Sequence, residues 1–100
     1  MPRLKQVFKV TYPNGKIYVG SDLTGSISYF GSPGDKAKAR IAADLGPQRC
    51  REFTATKTIL WECETATKVE ALAMEREWIV KLGANNPERG YNGSPPFRST

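Results

Sequence analysis

"VFKVTYPNGKIYVG", residues 7–20, decides how this chain folds. Its first half alternates: Phe8, Val10 and Tyr12 fall on one face of an extended segment, and Val7, Lys9 and Thr11 on the other. Such alternation, rich in β-branched and aromatic residues, marks a strand, read here over 4–12. "PNG" at 13–15 turns the chain and "KIYVG" at 16–20 brings it back. The register of this hairpin decides which side chains meet. A two-residue turn on Asn14 and Gly15 pairs Thr11 with Tyr18 and puts Phe8 and Tyr18 on opposite faces. A three-residue loop makes Pro13 and Asn14 the centre of a type I turn and gives Gly15 the left-handed position. Val10 then pairs with Tyr18, and Phe8, Val10, Tyr18 and Gly20 share a face. Proline favours the first central position, so this second register is expected.

Outward from the hairpin, "SDLTGSISYFGSPG" at 21–34 carries four Gly or Pro residues and reads as a loop with at most a helical turn. Asp35 starts a short helix over 35–45 that Gly46 stops, and 47–52 adds at most another turn. "FTATKTILWE" at 53–62 is the third strand. A second helix spans 68–82, with Thr67 and Glu70 as a T-x-x-E capping box and Gly83 as its stop. Residues 84–100 hold three Pro and two Gly and look irregular. The order strand, strand, helix, strand, helix implies an α+β layer in one domain over 1–100.

Composition narrows the chemistry. The chain has 100 residues, 15 Lys+Arg against 10 Asp+Glu, and no histidine. A chain of this size buries roughly 60–70% of its unfolded surface, so every element shares one core. Without histidine there is no Ser-His-Asp triad, no His-bearing zinc finger and no His general base. Cys50 and Cys63 form no metal spacing and are expected to be reduced thiols. Nothing after "MPRLKQ" reads as a secretory leader, and no stretch approaches the ~20 apolar residues of a membrane span, so a cytoplasmic protein is expected. Residues 1–50 hold eight Lys/Arg against three Asp, while residues 51–100 hold seven of each sign. A surplus confined to one half suits a polyanion such as nucleic acid, and equally suits solubility. Lys36, Lys38 and Arg40 are its densest group, and Lys16 adjoins the hairpin turn. All four are candidate phosphate contacts, with a solvated surface as the bland alternative.

The second helix contains an oddly placed carboxylate. At about 100° per residue, Val69, Leu72, Trp78, Ile79 and Leu82 belong to a wide apolar arc. Glu75 lies inside that arc, flanked by Leu72, Ile79 and Leu82, and Arg76 lies inside its other side. A carboxylate there must be paired, protonated or bound to a cation, because an unpaired buried charge costs several kcal/mol, as an order of magnitude. Either a divalent metal or an arginine from another element satisfies it. Mg2+ typically takes only one or two protein carboxylates and keeps its waters, so one Glu is not too few.

The hairpin segment resembles the opening of the GIY-YIG nuclease family, a Gly-Ile-Tyr strand followed by a Tyr-Ile-Gly strand. "YFGSPG" at 29–34 is similar to the family's Y-[YF]-G-S loop, "FTATKTILWE" to its third strand, "EREWI" at 75–79 to its Glu-bearing helix and "GYNGSP" at 90–95 to its closing Gly-Tyr-Asn. The matches run in order over nearly the whole chain. The resemblance implies a three-stranded antiparallel sheet flanked by helices and cleavage of DNA phosphodiester bonds with one Mg2+ or Mn2+. By the same resemblance Tyr18 matches the second motif tyrosine, Glu75 the metal-binding glutamate and Asn92 the closing asparagine, which orients a phosphate or ligand.

Two positions depart from the family. Phe8 stands where the first tyrosine belongs, leaving Tyr18 as candidate base or water-positioner. A general base contributes roughly 10²–10⁴-fold in rate, and a free tyrosine with a pKa of about 10 needs a nearby cation to act as one. The family arginine is also missing, with Ile27 and Ser28 at its place. Arg51, then Arg40, are the candidates to supply the positive charge that phosphoryl transfer needs. These departures leave a second reading open, a nucleic-acid-binding module on a nuclease fold, and a weaker third, a small protein-interaction domain. As a nuclease this short, the chain is expected to cut with weak or structure-driven specificity unless a second copy or an accessory partner supplies recognition.

Overall fold

The computed structural model of the chain describes residues 4–49 and 52–97. Strands β1 (Lys5–Thr11), β2 (Ile17–Asp22) and β3 (Thr56–Cys63) form one antiparallel sheet in the order β2-β1-β3. Helices α1 (Asp35–Arg49) and α2 (Lys68–Leu82) complete a β-β-α-β-α order, so the fold is α+β.

The three-residue turn is the one that forms. Val10 pairs with Tyr18 and Phe8 with Gly20. The Gly15 N–H donates to the Tyr12 carbonyl at 2.9 Å, and Gly15 takes φ 85°. The Asn14 side-chain oxygen accepts from the Lys16 N–H at 3.0 Å and closes the loop. β2 runs two residues past the expected end. Asp22, buried, then turns the chain by accepting from the Thr24 and Ser26 N–H groups at 2.9 and 2.7 Å.

α2 has the expected ends: Thr67 and Glu70 form the capping box, and Gly83 closes the helix in the left-handed conformation. α1 breaks at Gly46 (φ 79°, ψ 166°), and Pro47 opens a short further turn, as Pro does at a first helical position. β3 starts at Thr56 rather than 53, and it carries a bulge: Val7 faces Trp61, but Phe8 faces Ile59. The extra residue, Leu60, breaks the alternation, so both Leu60 and Trp61 pack with Val7, Val19 and Ile79 under α2. On the other face, Tyr12 and Tyr18 pack against Ile41, Leu45 and Tyr91 beneath α1.

β2 is an edge strand, and the segment after α2 covers its outer side. The Ile17 N–H donates to the Arg89 carbonyl at 3.0 Å, and the Tyr91 N–H donates to the Ile17 carbonyl at 2.9 Å. Gly90 is required between them, since a Cβ there would overlap the Ala84 and Ile17 backbone.

Candidate active-site cleft

Where that cover ends, a cleft of about 360 Å³ opens, with Tyr18, Glu75, Arg76, Asn92 and Gly93 among its walls. Tyr18 comes from the Phe8 face of the sheet. Glu75 comes from α2, which packs on the Val7 face. The two meet because β2 lies at the edge.

Gly31 and Gly20 shape the Tyr18 wall. A Cβ on Gly31, itself at φ 92°, would lie 2.7 Å from Tyr18 Cε2, and one on Gly20 would lie 3.2 Å from the same atom. The glycines of the Y-F-G-S loop and of β2 thus let the backbone approach the ring. Burial, helped by the charge of Glu75 and by Tyr29 and Tyr12, pushes the Tyr18 hydroxyl up to about 12.

Glu75 is half-buried, and burial raises its pKa, while a hydrogen bond from the Ser21 hydroxyl to Oε2 at 3.3 Å works in the opposite direction. No lysine or arginine pairs with it among the described residues. A cleft-facing carboxylate with one weak hydroxyl partner fits a hard divalent ion. No three His, Cys, Asp or Glu side chains among the described residues converge to hold a metal. Such an ion would therefore take Glu75 and fill its other positions with water, as Mg2+ commonly does.

Asn92 lines the cleft, but its amide is committed elsewhere. Its Oδ1 accepts from the Val19 N–H and its Nδ2 donates to the Val19 carbonyl, both at 2.8 Å. It acts as a side-chain extension of the sheet, fixing the closing segment to β2. Arg40 is not among the cleft walls. Its Nη2 donates to the Pro87 and Gly90 carbonyls at 3.0 and 3.2 Å, and its guanidinium lies 5.2 Å from the Tyr91 ring centroid. Arg40 thus braces α1 against the closing segment. Arg51 lies outside the described residues.

Lys16 pairs with Asp44 at 3.0 Å, and Asp44 also accepts from the Tyr91 hydroxyl at 2.8 Å, so this lysine has a partner within the fold. Lys36 and Lys38 are exposed on α1, and Lys38 borders an apolar groove with Tyr12, Ile41 and Phe53 rather than the cleft. Phe8 is fully buried, with Tyr29 edge-on at 5.8 Å and Lys57 Nζ 4.9 Å from its ring centroid.

One partner of Glu75 and one cleft wall were not among those singled out for chemistry. Ser21 gave no signal, since its partner stands 54 positions away. Arg76 did: it lies inside the other side of the apolar arc from Glu75, and Leu72, Glu75, Arg76 and Ile79 recur at helical spacing along one wall.

Comparison with family models, with curated proteins and with solved structures finds no match to this chain. No helix among the described residues is long and apolar enough to cross a membrane.

Proposed function

We propose that the chain is a divalent-metal-dependent DNA endonuclease of GIY-YIG type. The observation that supports this most is the meeting of Tyr18 and Glu75, from opposite faces of the sheet, in one cleft. The reaction is hydrolysis: a water oxygen bonds to phosphorus, one phosphorus–oxygen ester bond breaks, and the leaving oxygen takes a proton from solvent while the attacking water releases one. The ion, held by Glu75, supplies Lewis-acid activation and charge neutralisation when bound. With its pKa near 12, Tyr18 acts as a hydrogen-bonding water-positioner rather than as the base that removes the proton. Asn92 keeps β2 and the closing segment in register, and so holds the Tyr18 wall against Gly93.

The buried, hydroxyl-free Phe8 favours one rival, a nucleic-acid-binding module on the same fold. Incubation with plasmid and branched DNA in Mg2+ or Mn2+ separates the two. Metal-dependent cleavage that Glu75→Gln abolishes is the expected result. Intact DNA binding with no cleavage under any condition points to the module, and cleavage unaffected by Glu75→Gln removes the metal site.

A further inference from the structure

Phosphoryl transfer places negative charge on the non-bridging oxygens, and a cleft built for it needs a fixed positive group. Arg40 is not itself a cleft wall: its guanidinium is bound to two backbone carbonyls and lies against the ring of Tyr91, which is one. Lys16 is paired with Asp44, and Lys57 Nζ donates to the Ser26 carbonyl at 3.0 Å. Lys81 lies over the Trp78 ring, 4.7 Å from its centroid. Arg76 differs from all of these. Among the described residues it is the only cation lining the cleft, it is exposed, and its side chain makes no hydrogen bond or ion pair with another described residue. It follows Glu75 on α2, so its stem leaves the helix about 100° further round, and the two side chains flank the cleft side by side. A guanidinium presents a planar fork of donors that matches two phosphate oxygens at once.

We infer that Arg76 is the phosphate-binding cation of this cleft and holds the non-bridging oxygens of the scissile phosphodiester. This rests on the reading of the cleft as a phosphodiester site. It assigns the positive group to the helix that carries the glutamate, rather than to the Arg51 or Arg40 expected from sequence. Capture of the phosphate beside Glu75 sets the phosphorus against the Tyr18 wall.

The test has a binding arm and a cleavage arm. In the Glu75→Gln background, anisotropy with a short labelled DNA duplex is followed across a salt series for Arg76, Arg76→Lys and Arg76→Ala, with the exposed Arg49→Ala as control. Removing one phosphate contact is expected to weaken binding and to lower the log–log salt slope by about 1, with Lys restoring the slope. In otherwise wild-type protein, Arg76→Ala is expected to slow single-turnover cleavage by roughly 10²–10³-fold, with partial recovery in Arg76→Lys. An Arg76→Ala variant with unchanged affinity and salt slope, or indistinguishable from Arg49→Ala, overturns the inference. If the wild type cuts nothing but Arg76→Ala loses slope, the nuclease reading falls and the phosphate contact stands. If both proteins cut equally with equal slopes, the nuclease stands and Arg76 is dismissed.

Discussion

Replacing Asn92 by Ala removes a side chain that is 8% exposed and leaves the Val19 N–H and C=O without their partners on the outer edge of β2. Each buried backbone group so orphaned costs about 1–3 kcal/mol. Water entering from the adjoining cleft recovers part of that, so a total of roughly 2–4 kcal/mol is expected, a large fraction of the ~5–15 kcal/mol that holds a domain together. At about 4–8 °C per kcal/mol for a chain this size, the melting temperature falls by roughly 8–32 °C. Asn92→Asp is the sharper probe, because it keeps the shape and the acceptor toward Val19 N–H but turns a second oxygen toward the Val19 carbonyl. Protonated, that carboxyl donates the missing hydrogen bond; ionised, it opposes the carbonyl. Its folded pKa therefore rises above the ordinary ~3.9. Stability it contributes is present below the unfolded pKa and is lost as pH rises through the folded pKa. Urea melts from about pH 4 to pH 7.5 should show the Asp variant nearest to wild type in acid and weakest at neutrality. An Ala variant within ~1 kcal/mol of wild type, or an Asp variant with no pH dependence relative to wild type, refutes the edge-fixing role.

Three further substitutions bear on the cleft. Glu75→Gln removes a charge that burial disfavours, so in metal-free buffer it should raise the melting temperature at neutral pH. That advantage shrinks as pH falls through the raised folded pKa, where wild-type Glu75 is itself neutral. Mn2+ at ten times its Kd should stabilise the wild type by about 1.4 kcal/mol, or roughly 5–10 °C, and leave Glu75→Gln unmoved; an equal shift in both proteins places the ion elsewhere. Gly31→Ala forces both a left-handed backbone and a clash with Tyr18, and should cost about 1–3 kcal/mol, against less than ~0.5 for Gly93→Ala, whose Cβ meets nothing within 4 Å. Similar costs at the two glycines, read from urea midpoints, would mean that Gly31 does not shape the Tyr18 wall. Phe8→Tyr restores the motif hydroxyl, but the Phe8 ring is fully buried and its Cζ lies 3.0 Å from where a Gly20 Cβ would be. Overpacking by about 1–3 kcal/mol is expected, and a variant as stable as wild type would show that the site has room for a phenol.

What the sequence made legible was local. The Pro13-Asn14-Gly15 turn sets the hairpin register because proline and glycine each admit few backbone conformations, and those conformations select one loop length. The α2 ends follow from Thr67, Glu70 and Gly83 for the same reason, and the inward place of Glu75 follows from helical periodicity alone. The Leu60 bulge was hidden, because a strand with one extra residue has the same composition as one without. The work of Asn92 and Arg40 was hidden more deeply. Asn92 reaches Val19 across 73 positions, and Arg40 reaches Gly90 across 50. Their partners are main-chain groups, and any residue supplies a carbonyl, so the residue type at the far end carries no signal. A family likeness could assign Asn92 a position but not reveal that both ends of its amide are already used.

The site itself depends on β2 being an edge. A sheet separates its two faces, so a phenol rising from one and a carboxylate carried by the helix on the other ordinarily never meet. At an outer strand they can, but an outer strand also exposes unpaired N–H and C=O groups that invite pairing with another chain. Residues 89–92 resolve this conflict by occupying the edge at Ile17 and Val19, first with main chain and then with one side-chain amide. Had the cover continued as a full strand, it would have filled the space between Tyr18 and Glu75. Because its pairing ends on Asn92, the edge is satisfied as far as Val19, and Gly93, Ser94 and Pro95 beyond it go on to line the cleft.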